Sequence, residues 1–225
     1  MTPAEMSKAV ARATRHDRIR SKELMDTLSA FTILFVTVDP VGLAPIFATL
    51  TRGLTHRERM VVALEASLLA WLILVGSALF GTALLQLLGI GIPAFRIAGG
   101  LLLFAIAFEM VFEYQQEKKE ALGRQALSNL AAFPLAIPLM AGPGAIAATL
   151  LLAGETEGNF TARMVLLGVV SAIIALTLVM FLFYSWIERR LGTRWQIVFT
   201  RLLGVLLAAL AVQYIIDGIL ALLPE

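Results

Sequence analysis

The sequence predicts an all-α polytopic membrane protein: six transmembrane helices in two inverted three-helix repeats, with helices 1 and 4 broken at Pro/Gly motifs. Three observations carry that prediction. Of 225 residues, 59% are hydrophobic and 15% charged, against about 45–50% and about 25% in soluble domains, and so small a chain cannot hide the excess. Apolar stretches longer than about 18 residues recur along the chain, each able to cross a bilayer as a helix. Two short motifs also recur at matching places in the two halves. The net charge of +2 selects no partner, and no basic, aromatic-interleaved surface points to nucleic acid. Cysteine is absent, which excludes disulfides, thiolate metal sites and cysteine nucleophiles. His16 and His56 form no metal-binding cluster, and neither metal nor cofactor is expected.

Residues 1–23 form a basic tail with Lys8, Arg12, Arg15, Arg18, Arg20 and Lys22 but no apolar signal-peptide core. Residues 24–225 form one transmembrane domain, repeat 1 covering about 24–114 and repeat 2 about 126–223. Its six apolar spans run over about 24–50, 60–88, 94–112, 126–153, 164–187 and 195–223. The connection at 113–125 is charged and reads as solvated. Three short loops hold three cations each: Arg52, Arg57 and Arg59; Lys118, Lys119 and Arg124; Arg189, Arg190 and Arg194. The positive-inside rule places those loops in the cytoplasm and both termini outside. The tail's cations argue against this, and a start at Met25 would remove the conflict.

The two halves of the sequence can be laid over each other. Pro40 and Pro143 mark the breaks in the first and fourth spans. Arg96-Ile-Ala-Gly-Gly-Leu-Leu102 and Arg201-Leu-Leu-Gly-Val-Leu-Leu207 share the pattern R-x-x-G-x-L-L, 56 and 58 residues after the respective proline. Three spans per half force the second copy into the membrane upside down, the inverted-topology repeat of many secondary transporters.

The breaks are the candidate chemistry. Non-helical backbone survives in a bilayer only where protein buries it or it lines a cavity. Pro40, Gly42 and Pro45 are expected to uncouple the helix before Asp39 from a short piece after Pro45; Gly142-Pro143-Gly144 and Ala145 do the same in the fourth span. A helix starting after each break offers free N–H groups and a positive dipole end to a carboxylate or phosphate. The half-helix before it offers carbonyls to a cation. A zwitterionic amino acid fits that pair. The competing reading is two proline kinks serving helix packing. Asp39, inside the first break, is the sharpest ionisable candidate, as a binder of a proton, a sodium ion or a substrate ammonium. Glu65, Glu109 and Asp217 read as groups near span ends, and Arg96 and Arg201 as interfacial anchors or closing ion pairs. Small residues around the second break (Ala141, Ala147, Ala148 and Thr149 among them) permit close packing and leave room for only a small ligand. No nucleotide fingerprint and no catalytic dyad is present, so the chain is not expected to be an enzyme.

At these residues the sequence resembles the MarC family of membrane proteins, which overlaps the small neutral amino acid transporters. The resemblance lies in Asp39-Pro-Val-Gly-Leu-Ala-Pro-Ile-Phe47, Phe95-Arg-Ile-Ala-Gly-Gly-Leu-Leu-Leu-Phe104, Phe133-Pro-Leu-Ala-Ile-Pro-Leu-Met-Ala-Gly-Pro-Gly-Ala-Ile146 and Ala211-Val-Gln-Tyr-Ile-Ile-Asp-Gly218. It covers about residues 24–220. It implies six transmembrane helices in the cytoplasmic membrane and proton- or cation-linked transport of glycine and alanine. The family usually carries Asn where this chain has Asp39, and the tail exceeds its pattern. The expected function is therefore a secondary transporter of small neutral amino acids, coupled to protons or sodium, in the cell inner membrane. Asp39, Pro40, Gly42, Pro45, Gly142, Pro143, Gly144 and Ala145 are the expected binding residues, and Asp39 the coupling group. The alternatives are a channel-like pore and a scaffold without transport.

Overall fold

The computed structural model describes residues 27–51, 53–112, 131–191 and 194–223. The basic tail and the charged connection at 113–125 lie outside the described residues. Within these the chain is helical, without strands: α1 (residues 27–38), α2 (Pro40–Leu50), α3 (His56–Leu87), α4 (Ile92–Val111), α5 (Ala131–Met140, wound as a π-helix), α6 (Pro143–Glu155), α7 (Phe160–Leu191) and α8 (Arg194–Leu220). Five helices are long and apolar enough to cross a membrane, α1 and α2 together making the first, and α6 is a shorter apolar helix. Leu68, Leu72 and Phe80 on α3, Leu101 and Phe108 on α4, and Leu202 and Val205 on α8 are all exposed. So extensive an outward apolar face suits lipid, not water.

Caps set the helix starts more than hydropathy does. α3 begins ahead of its apolar run because Thr55 and Glu58 form a capping box, the Thr55 N–H donating to Glu58 Oε2 at 2.8 Å. The Ala162 N–H donates to Asn159 Oδ1 at 3.1 Å in the first turn of α7. Pro93 sits in the first turn of α4, where its missing N–H has no intrahelical partner to lose.

The first break is narrower than the sequence indicates. The helix resumes at Pro40, and Pro45 lies inside α2. The Asp39 N–H donates to the Phe35 carbonyl and the Asp39 carbonyl accepts from Leu43 N–H, both at 3.0 Å. The helical ladder thus passes through the interruption, and proline at the first helical position is already set for a helix. The result is a kink at one residue, with α1 and α2 still coupled.

α4 and α8 form the closest seam. A Cβ on Gly100 would lie 2.8 Å from the Ala211 carbonyl oxygen, one on Gly204 3.2 Å from that of Ala107, and one on Gly218 2.9 Å from that of Pro93. These contacts make the two helices antiparallel, with small residues meeting backbone every seventh residue on each. In lipid such an interface is held by van der Waals contact and close backbone approach. It is also reciprocal: Gly99, Gly100, Leu103, Ala107 and Met110 are buried on α4, and Leu203, Gly204, Leu207, Ala211 and Tyr214 at the same spacing on α8. That register pairs Gly100 with Gly204, one residue off the R-x-x-G alignment, which paired Gly99 with Gly204. The motif followed the arginines, whereas packing follows the glycine that touches a carbonyl.

Around this seam α3 packs against α5, α6 and α7, α2 against α7, and α4 against α6. Trp71 Nε1 donates to Ser171 Oγ at 2.9 Å between α3 and α7. Between α2 and α7 the Phe47 and Phe181 rings stack with centroids 4.4 Å apart.

Candidate functional site

Asp39 stands between α1 and α2 with φ 52 and ψ 63, in the left-handed region. Asp and Asn tolerate that conformation better than other side-chain-bearing residues. Its side chain is 2% exposed, and Oδ1 accepts the Gly42 N–H at 3.0 Å. The carboxylate thereby caps α2 at its positive end. Gly42 makes this possible, since a Cβ there would lie 2.7 Å from the Asp39 carboxyl carbon. The expectation of an open anion site at the first break is therefore corrected: the chain's own carboxylate fills it.

The second interruption is built differently. α5 is π-wound up to Met140, and the Ala141 N–H donates to the Ala136 carbonyl at 2.9 Å, five residues back. Pro138 has no N–H, so the Phe133 carbonyl lacks a donor in that ladder. Gly142 is extended (φ −76, ψ 170), and no side chain caps α6. Pro143 takes the first helical position, which leaves Gly144 and Ala145 to present the leading N–H groups. Pro143 is exposed, Gly142 half-buried, and Gly144 and Ala145 buried.

The two interruptions meet. A Cβ on Gly144 would lie 3.3 Å from Thr37 Cγ2 and would run into Ile106 Cδ1. Thr37 is two residues ahead of Asp39, so α1, α4 and α6 converge near both helix interruptions. Of the expected residues, Asp39, Pro40 and Gly42 lie at the first interruption and Gly142, Pro143, Gly144 and Ala145 at the second. Pro45 stands apart, more than a turn into α2. Sequence reading missed Thr37 and Ile106. Proximity to Asp39 points to Thr37, whereas nothing local in α4 marks Ile106.

Of the other ionisable residues, Glu109 is half-buried on α4, one turn after Ile106, and Arg201 is exposed on α8. Glu65 is exposed on α3. Arg96 Nη2 and Glu155 Oε1 are 4.0 Å apart and half-exposed, tying α4 to α6; this makes Arg96 a closing ion pair, one of its two expected roles. Asp217 accepts from Gln213 Nε2 at 2.7 Å. Among the described residues no group of three or more His, Asp or Glu could hold a metal. What the geometry offers is an uncapped helix N-terminus suited to an anion, the carbonyl end of α5 beside it, and a buried carboxylate close by.

Comparison with known proteins places this architecture. The model of the MarC family, described as MarC family integral membrane protein, matches residues 24–223. The UPF0056 membrane protein YvbG of Bacillus subtilis is 35% identical, over 86% of this chain and 94% of its own. The UPF0056 membrane protein YhcE of Escherichia coli is 36% identical, over 86% and 92%. A UPF0056 membrane protein of Aquifex aeolicus is 35% identical, over 88% and 94%. No solved structure matches. The apolar helices, the family model and these relatives lead to one assignment: the chain belongs to the MarC family of integral membrane proteins.

Proposed function

We propose that the protein is a secondary transporter of small neutral amino acids, of the glycine and alanine class, coupled to protons or sodium. The observation that carries this reading is the approach of Thr37 to Gly144, close enough that a Cβ on Gly144 would lie 3.3 Å from Thr37 Cγ2, which brings the two interruptions together. The uncapped start of α6 receives the substrate carboxylate, and the carbonyl end of α5 receives its ammonium group. The first half supplies a precedent, because the Asp39 carboxylate sits on the start of α2 as a substrate carboxylate would sit on the start of α6. Ile106 packs directly on Gly144 with Thr37 beside it, so Ile106 moves aside for the solute and only a small side chain is accepted. Asp39 is the coupling group: a proton or cation on it cancels the negative charge at the positive end of α2, while its oxygen can still accept the Gly42 N–H.

The reading extends to topology. The fourth crossing is α5 with α6, and residues 24–114 and 126–223 are inverted repeats, supported by the reciprocal α4–α8 seam and by α2–α7 matching α6–α3. The arginine-bearing loops face the cytoplasm and both termini the outside of the inner membrane. The chain does no covalent chemistry.

Purified protein in liposomes, given a panel of labelled amino acids under imposed proton and sodium gradients, tests this. Gradient-driven uptake of glycine or alanine is expected, and Asp39→Asn retains solute binding but loses accumulation. Full accumulation in that variant removes Asp39 from the coupling. If no amino acid moves under any gradient, the transport reading fails.

A further inference from the structure

Hydroxyls inside these helices follow one habit. Ser77, Thr149, Ser171 and Thr177 each donate to the carbonyl four residues back, at 2.7–2.8 Å. Ser67 on α3 departs from it: the residue is 4% exposed, and its Oγ is buried with no hydrogen-bond partner. An unmade hydrogen bond on a buried hydroxyl is destabilising, so the atom calls for a reason to be there.

Helical spacing says where Ser67 points. Trp71, one turn on and about 40° to one side, reaches Ser171 of α7. Gly81, just under four turns on and about 40° to the other side, faces Leu150 of α6. Ser67 lies between these directions. α5 precedes α6 in the chain and also packs on α3. Since α3 ends at Leu87, soon after Gly81, α5 lies against the part of α3 before Gly81. Ser67 is about 21 Å before Gly81 along α3, and Pro143 about 10 Å before Leu150 along α6. The hydroxyl is thus about 10 Å beyond the start of α6, beside α5. There Pro138 leaves the Phe133 carbonyl without a donor in the five-residue ladder that Ala141 and Ala136 close.

Leu135, Ala136, Leu139 and Met140 are buried on α5, and Glu65, the nearest carboxylate along α3, is exposed on the opposite side of that helix. The polar atoms on offer are therefore neutral oxygens, a hydroxyl and a main-chain carbonyl, and neither holds a proton at working pH. Neutral oxygens replace the water shell of a monovalent cation, whereas hard divalent ions take carboxylates. The filled space around Ser67 favours sodium over the larger potassium. We propose that Ser67 Oγ and the Phe133 carbonyl are ligands of a sodium ion held between α3 and α5, at a site separate from Asp39. Its role in transport rests on the carrier reading; the binding itself does not. Sodium there supplies the partner that Ser67 lacks and ties α3 to the weakened turn of α5. A small amino acid with its carboxylate on the start of α6 is too short to put its ammonium group in the same place.

Thermal unfolding of the purified full chain, in sodium chloride and in choline chloride of equal ionic strength and without amino acid, tests this. The parent is expected to gain stability with sodium, saturably. Ser67→Ala and the size-matched Ser67→Cys lose that gain. In choline, Ser67→Ala unfolds at or above the parent temperature, because the unsatisfied hydroxyl is gone. Asp39→Asn keeps the sodium gain. A parent indifferent to sodium, or a gain kept by both Ser67 variants, overturns the proposal, as does a gain lost only in Asp39→Asn. Stabilisation by glycine in choline that Ser67→Ala abolishes would give the hydroxyl to the solute's ammonium group and overturn it too. Liposome flux separates the site from the carrier reading. With sodium-driven flux, Ser67→Ala raises the half-saturating sodium concentration about tenfold. Ser67-dependent stabilisation by sodium without flux of any amino acid leaves the site standing and removes the carrier. Flux in a protein whose stability ignores sodium removes the site alone.

Discussion

Asp39 holds a left-handed backbone in the middle of a membrane crossing, and two of its properties keep it there. A short polar side chain tolerates that conformation, and its oxygen satisfies the Gly42 N–H. Asparagine shares both, so Asp39→Asn should unfold within about 0.5 kcal/mol of the parent, as expected of a retained cap, whereas Asp39→Ala should cost about 0.5–2 kcal/mol. Thermal unfolding in one detergent separates them. At the second interruption, Gly144→Ala drives a methyl into Ile106 Cδ1. Overpacking of this kind costs about 1–3 kcal/mol, and Ile106→Ala in the same chain should recover most of it. Full additivity of the two would mean that the side chains do not touch. Asp39 was legible from sequence as an ionisable residue between Pro-flanked apolar runs. Its role as the cap of α2 was not, because capping depends on a φ that the residue type permits without requiring.

Elements were legible where apolar runs are long, and their ends where a cap could be recognised. The Thr55–Glu58 box carries α3 back to His56, ahead of the apolar run. α5 was not foreseen as a π-helix: Pro134 and Pro138 signal a weakened ladder, but nothing in them says that the chain relaxes to five-residue spacing. The R-x-x-G motif came within one residue of the α4–α8 register and then followed the arginines. Glycines divide accordingly. In Gly100→Ala the new Cβ meets Ile215 Cγ1 at 2.7 Å and the Ala211 carbonyl at 2.8 Å, and a backbone oxygen cannot rotate away. A loss of about 1–3 kcal/mol is expected. At Gly76, mid-α3, a Cβ meets nothing within 4 Å, so Gly76→Ala should be neutral or stabilising by up to about 1 kcal/mol. Equal effects in the same unfolding assay would mean that the seam does not hold the bundle.

For the whole molecule, the two interruptions matter through their meeting. Sequence symmetry placed a break in each half, but symmetry alone does not say that two breaks face each other. It takes the tertiary packing of α1, α4 and α6 to bring Thr37 against Gly144. A carrier and a pore both accommodate such a site and differ in whether solute on one side speeds movement from the other. Counterflow measures that difference: liposomes loaded with unlabelled glycine or alanine and diluted into a trace of label. Transient accumulation above equilibrium is expected, and its loss in Gly144→Leu protein that is still folded in the membrane. Label that only equilibrates at the same rate in loaded and empty liposomes would contradict it.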